Sequence, residues 1–309
     1  MTGGGTSRSR SRPRLDVASL GRFDGLTLHA RHGLGERPGE RRHPGRPQPS
    51  GIELESYSAY TPGDDLRHLD WSAVGRLDSL VVRRFTAERE VLFHLLLDVS
   101  ASMDAPAEDG KLASARELGL ALGYIGLAAN DAVQLTLLGG KGTVTASPVH
   151  RHRRGIFAVA AMLDGARAEG TLRIDVALDA YAQRHREAGA ALVISDFMTD
   201  PSEVERGILA LQARRFAVHL LHVIGASELD PGASFTRGLL VDVESGESHA
   251  MAMTPEVEAR YQAVLAAHLA ALAAVAERTR ASYTRVVAGS DVAAFVVGDL
   301  ARQDLVRRR

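Results

Sequence analysis

Residues 91–98 read Val-Leu-Phe-His-Leu-Leu-Leu-Asp, and residues 99–102 continue Val-Ser-Ala-Ser. A continuous apolar run, Val91 to Leu97, closed by Asp98, is the pattern of a central strand covered by helices on both faces, the arrangement that parallel sheets require. His94 inside the run reads as a core residue with a satisfied ring rather than as a ligand. Lys111 to Asn130 has helical periodicity and Ala132 to Leu138 reads as a strand. The order strand, helix, strand implies parallel pairing.

Further along, Gly139-Gly140-Lys141-Gly142 resembles a phosphate loop only superficially, because the upstream glycine and the Ser/Thr after the lysine are missing. It reads as a hairpin turn between Leu-Thr-Leu-Leu and Thr-Val-Thr-Ala, which puts one reversed strand at the sheet edge. The basic cluster from His150 to Arg154 reads as a solvated face. Helices are expected at 154–168, 174–186 and 201–214, and strands at 190–195, ending at Asp196, and at 217–224. This alternation predicts an α/β fold with a doubly wound, mostly parallel, Rossmann-like sheet and an antiparallel edge strand. From Phe235 to Met253 short alternating runs flank Glu244-Ser245-Gly246-Glu247, which predicts a small β-rich appendage before C-terminal helices.

Three regions follow. Residues 1–51, rich in Gly, Pro, Ser and Arg, are expected to be a disordered basic tail and linker, with order beginning near Ile52. Residues 52–90 form an N-terminal segment docked on the core, and residues 91–309 form the α/β domain, with the β insertion near 235–253. Within the segment, Asp64, Asp65, Arg67 and Asp70 follow a Pro-Gly turn and are candidate partner-binding residues, against the alternative of an Asx-type turn held by a local Arg-Asp pair.

The 309 residues carry 37 basic and 38 acidic side chains, a net charge of -1, so nothing attracts nucleic acid or an anionic membrane globally. Arg8, Arg10, Arg12 and Arg14 could touch phosphates, but the neutral balance argues against nucleic acid as the partner. The absence of cysteine excludes disulfides, thiolate metal sites and cysteine nucleophiles. No apolar signal-peptide core precedes Leu15, and the apolar stretch Val264 to Ala276 is short for a bilayer and contains His268. No membrane span and a cytoplasmic location are expected.

In open α/β sheets ligands bind beyond the carboxyl ends of the strands. Asp98, Ser100 and Ser102 leave the first strand there, Thr171 precedes a helix, and Asp196 ends a later strand. Two carboxylates and three hydroxyls, without sulfur, form a hard oxygen set suited to Mg²⁺ or Mn²⁺. Each residue alone could be only a helix or turn cap; three separated segments converging on one sheet edge favour the metal.

The set Asp-Val-Ser-Ala-Ser, Thr171 and the aspartate of Val-Ile-Ser-Asp-Phe resembles the metal-ion-dependent adhesion site of von Willebrand factor A domains. The upstream Y-x-x-Y-x-P-G-D-D-x-R-H-L-D-W, V-R-R-F-T-A-E-R-E and L-L-L-D-V-S-A-S-M segments resemble a bacterial family, domain of unknown function fifty-eight, over roughly residues 52–224. The resemblance implies a von Willebrand factor A-like fold in which Asp98, Ser100, Ser102, Thr171 and Asp196 hold Mg²⁺ and a partner's Asp or Glu completes its shell. It further implies a non-enzymatic adaptor or co-chaperone of a MoxR-type AAA+ ATPase. Many relatives carry two N-terminal membrane helices, which are not found here, and many have paired glycines where this chain has Glu169-Gly170. Two alternatives stand beside this reading. One is a Mg²⁺-dependent phosphatase or phosphotransferase with Asp98 as nucleophile, although Ser100 stands where its acid would be. The other is a metal-independent scaffold whose basic tail binds nucleic acid.

Overall fold

The computed structural model describes residues 16–29, 52–61, 69–71, 73, 80–87, 90–139, 144–185, 187, 189–241 and 247–309. The chain divides into two units, Glu36–Glu90 and the remainder, Met1–Gly35 with Val91–Arg309.

In the larger unit, strand β1 (Leu26–Leu28) follows a 3-10 turn (Val17–Phe23). The smaller unit holds β2 (Ile52–Ala59) and β3 (Val81–Ala87), an antiparallel pair with a register shift between Leu54 and Ser56. Leu69 forms a bridge to Val82 in the same unit.

The larger unit then continues with β4 (Leu92–Asp98), α1 (Lys111–Ala128), β5 (Ala132–Leu138), β6 (Val144–Ala146), α2 (Ile156–Gly165), α3 (Ile174–Arg184), β7 (Ala190–Ser195), α4 (Pro201–Ala213) and β8 (Ala217–Ile224). After two short helices, α5 (Ala226–Leu229) and α6 (Pro231–Ser234), come β9 (Arg237–Val241), β10 (Ser248–Ala252), α7 (Pro255–Thr279), β11 (Ser282–Val287), α8 (Val292–Arg302) and β12 (Val306–Arg308).

Six strands form the central sheet in the order β11-β8-β7-β4-β5-β6. All neighbours are parallel except β5 and β6, where Thr136 pairs with Ala146. The fold is therefore mixed α/β with a mostly parallel sheet, and the reversed strand lies at the edge where the sequence puts it. β4 is buried along its whole length, and its side chains alternate between two cores. Phe93, Leu95 and Leu97 join α1, α2 and α8 on one face, while Leu96 joins α3, α4 and α7 on the other. Burying each such leucine contributes about 1.5–3 kcal/mol, which explains why the run carries no charge before Asp98. Helix α1 is buried on nearly every side. It reaches the sheet because Gly126 has no side chain: a Cβ there would lie 2.8 Å from Val133 Cγ2.

The structure corrects the expectation of a disordered tail through residue 51. Residues 16–29 are folded: Asp16 caps the 3-10 turn, and Leu20, Phe23, Leu26 and Leu28 enter the same core as β4. β1 pairs antiparallel with β12, Leu26 opposite Arg308. Four apolar residues spaced for a turn and then a strand outweigh the surrounding Gly and Arg, which dominate any averaged composition.

Two further corrections fall near the C-terminus. Ser282–Val287 is a sheet strand, parallel to β8, within a region expected to hold only helices. Helix α7 is longer than its apolar stretch, because the Thr254 side chain accepts from Val257 N–H and Pro255 starts the first turn. By length and composition α7 could cross a membrane. In this fold Leu272 and Val275 pack into the second core, and the His268 ring meets Phe197 O at 3.0 Å. β9 and β10 pair antiparallel as a two-stranded sheet, with Ser248 opposite Val241, while the Glu244-Ser245-Gly246 part of the expected turn lies outside the described residues.

Candidate metal centre

Parallel pairing of β4 with β7 sets Leu97 opposite Ile194, so Asp98 and Asp196 leave neighbouring strands at the same sheet edge. Asp98 is only 3% exposed. Its Oδ1 accepts the Ser100 N–H at 2.8 Å and its Oδ2 accepts the Ser195 hydroxyl at 2.6 Å. Burial, reinforced by the nearby Asp196 charge, pushes the Asp98 carboxyl up from 3.8 to about 6, against the hydrogen bonds from Ser195 and Ser100. An acid held this far above its ordinary value lies in a place short of positive charge.

The hydroxyls of Ser100 and Ser102 stand 3.1 Å apart, Ser100 buried and Ser102 partly so. The loop carrying Thr171 is laid against this segment by two backbone bonds, Glu169 N to Val99 O at 2.9 Å and Ala101 N to Gly170 O at 2.8 Å. Gly170 has φ 67°, a left-handed conformation natural to glycine, and Glu169 is outside that region. Glutamate in place of a first glycine is therefore no obstacle to the loop. Thr171 itself is exposed.

Asp196 is buried and already has a cation: Lys111 Nζ donates to its Oδ2 at 2.9 Å and to Glu228 Oε1 at 2.5 Å. Asp196 Oδ1 accepts Met198 N–H at 3.3 Å. Burial alone would push the Lys111 ammonium down, but Asp196 and Glu228 outweigh it and hold its pKa above the usual lysine value. Glu228 is fixed in turn, its Oε2 accepting Gly225 N–H at 2.7 Å. The segment around it is strapped down by Ser227 Oγ donating to Asp109 at 2.5 Å and Tyr261 OH donating to Glu228 O at 2.9 Å.

Thus Asp98, Ser100, Ser102, Asp196 and the Thr171 loop converge at one edge. Among the described residues no group of three or more His, Cys, Asp or Glu side chains could hold a metal ion. A cation here would rely on two carboxylates, hydroxyls and water, a donor set that fits a hard divalent ion. Sequence reading gave Lys111, Glu228 and Ser195 no place at the site. One signal was present: Lys111 is one of only two lysines in a chain that otherwise uses arginine.

The other proposed contacts stand differently. Asp64, Asp65 and Arg67 lie outside the described residues. Asp70 is buried, with its Oδ1 accepting Ala73 N–H at 3.2 Å. It is a turn-forming carboxylate rather than part of an exposed recognition face.

An open, mostly parallel α/β sheet with an oxygen-donor cluster beyond its strand ends places these residues at the edge where α/β domains in general bind ligands. Residues 56–271 match the family described as Protein of unknown function DUF58, and the chain belongs to that family. It is 29% identical over 266 residues to the uncharacterized protein Rv1480 of Mycobacterium tuberculosis, covering 84% of this chain and 78% of the relative. Among solved structures it is similar to the conserved hypothetical protein BatB of Bacteroides thetaiotaomicron (TM-score 0.45, 14% identity, 69% of this chain and 98% of that one). It is also similar to the SpRpn10 VWA domain (TM-score 0.34, 12% identity, 70% and 95%). Both likenesses are distant; the strand order itself defines the fold.

Proposed function

We propose that this protein is a non-enzymatic, Mg²⁺-dependent protein-binding module with a von Willebrand factor A-like core, acting in the cytoplasm as an adaptor for a MoxR-type AAA+ ATPase. One observation carries the reading: Asp98 and Asp196 end neighbouring parallel strands beside the paired Ser100 and Ser102 hydroxyls, and Asp98 is held near pKa 6 by burial and by Asp196. Ser100, Ser102 and Thr171 would supply hydroxyl ligands, and Asp98 and Asp196 carboxylates, directly or through water. A site of so few charges leaves room for the Asp or Glu of a partner. The ATPase partner follows from the family resemblance alone.

The phosphotransferase alternative gains one feature, a lysine at the site, since Lys111 reaches Asp196. That ammonium is 1% exposed and shared between two carboxylates, and the position two residues after Asp98 is still Ser100. A module that only binds accounts better for an enclosed lysine and a missing acid.

The test is capture from a cell extract in Mg²⁺ against the same extract in EDTA, with circular dichroism confirming the fold of each variant. A partner retained in Mg²⁺, lost in EDTA and lost by Asp98→Ala supports the proposal. Equal retention in all three contradicts it, and turnover of a phosphatase substrate that disappears in Asp98→Asn favours the enzyme.

A further inference from the structure

Lys111 poses a problem for any metal at this edge, because a candidate ligand, Asp196, already carries an ammonium at 2.9 Å. The lysine has a second anchor, Glu228, at 2.5 Å. That anchor is independently fixed, since Gly225 N–H binds the other oxygen of Glu228 and Tyr261 binds its backbone carbonyl. The ammonium could thus release Asp196 and remain neutralised by Glu228, whereas Asp196 without Lys111 would have to find another cation. A carboxylate so enclosed does not stay ionised and unpaired without cost.

We propose that Lys111 is a resident competitor for Asp196, which sets how tightly the site holds a metal, and that Glu228 is the anchor to which the lysine withdraws when a metal is bound. This rests on the metal reading above and deepens it. It makes the free site weak by construction, so that a partner carboxylate adds what Lys111 subtracts. It also ties site occupancy to segment 225–229, which is strapped to α7 through Tyr261 and, by Gln262 Nε2 donating to Leu229 O at 2.8 Å, through a second bond.

The experiment is calorimetric titration of the full chain with Mn²⁺ at a single pH, for wild type, Lys111→Met, Glu228→Gln and the double variant, each checked for folding by circular dichroism. Removing the competing charge should tighten Mn²⁺ binding about tenfold or more. Glu228→Gln should weaken it, because the lysine is left with Asp196 alone. In the Lys111→Met background the effect of Glu228→Gln should shrink, since it acts through the lysine, and this non-additivity separates competition from two independent charges. If Lys111→Met does not fold, the weakening in Glu228→Gln alone decides, and unchanged affinity there overturns the proposal. Folded Lys111→Met with wild-type or weaker affinity overturns competition while leaving the metal site standing. Binding seen only in Lys111→Met supports competition in its strongest form. No binding in any of the four proteins removes both the metal reading and this inference.

Discussion

One sheet buries polar groups in two ways. In its interior, His94 meets Tyr181 OH at 2.7 Å and His222 meets Tyr283 OH at 2.7 Å, and burial pushes both imidazoles down to about 4. These pairs are neutral at pH 7, each ring held to its tyrosine through Nδ1 while its Nε2 is buried without a hydrogen-bond partner among the described residues. At the carboxyl edge, Asp196 and Glu228 share the ammonium of Lys111, while Asp98, bonded to Ser100 and Ser195 and facing the Asp196 charge, is pushed up to about 6. The first region is an uncharged core, whose histidines are anchored at one ring nitrogen rather than satisfied at both; the second carries more negative charge than it can neutralise. Function is sought where the electrostatics do not close.

Acidification should expose this contrast most strongly. Each imidazole, 6.5 when unfolded and about 4 when folded, is protonated more readily in the unfolded chain, so its contribution is lost as pH falls from about 6.5 through 4. At one pKa unit per 1.36 kcal/mol this is about 3 kcal/mol for each histidine, an order-of-magnitude figure. Asp98 has the opposite sign: its folded pKa lies above its unfolded one, so it destabilises above pH 6 and that penalty fades as pH falls toward 3.8. Urea unfolding between pH 7 and 4 should show a net loss of stability, and the loss should be steeper in Asp98→Asn, which lacks the opposing contribution. A parallel pH profile for the two proteins would show that Asp98 is not held high.

The next effect concerns the edge alone. In metal-free buffer above pH 7, Asp98→Asn should stabilise the protein by up to about 3 kcal/mol, because it removes a charge whose folded pKa is raised by about two units. The gain should shrink when Mg²⁺ is added, since the metal stabilises only the wild type. A destabilised Asp98→Asn in both buffers would place Asp98 with the structural polar groups of the interior.

The interior makes a smaller demand. Tyr181→Phe leaves the His94 ring without its hydroxyl partner and should cost about 1–3 kcal/mol in urea unfolding, with no change in Mn²⁺ affinity. A change in affinity would mean that the two regions are coupled. Smallest of all, Glu205→Ala breaks a surface pair with Arg278 at 2.9 Å, and its melting temperature should stay within the scatter of wild type.

Much of this contrast was legible along the chain. β4, β5, β7 and β8 are short apolar runs without charge, so period and burial agree, and their parallel order brings Asp98, Ser100, Ser102, Asp196 and the Thr171 loop to one edge. Ser282–Val287 was harder: exposed Arg285 and Val287 alternate with half-buried or buried neighbours at a sheet edge, and two helical stretches flank it. The N-terminal Val17 to Leu28 failed for the opposite reason, with a few apolar residues diluted by Gly and Arg. The charge of the site was not legible, because Lys111 meets Asp196 across 85 positions and Glu228 across 117. No local pattern records a pairing so distant.

The central claim is that this edge binds a divalent cation through Asp98. Calorimetric titration of the full chain with Mn²⁺, wild type against Asp98→Ala, tests it most directly, with both proteins shown folded by circular dichroism. A single weak, saturable site in the wild type that is absent from Asp98→Ala is the expected result. Superimposable titrations of the two folded proteins up to millimolar metal would contradict it.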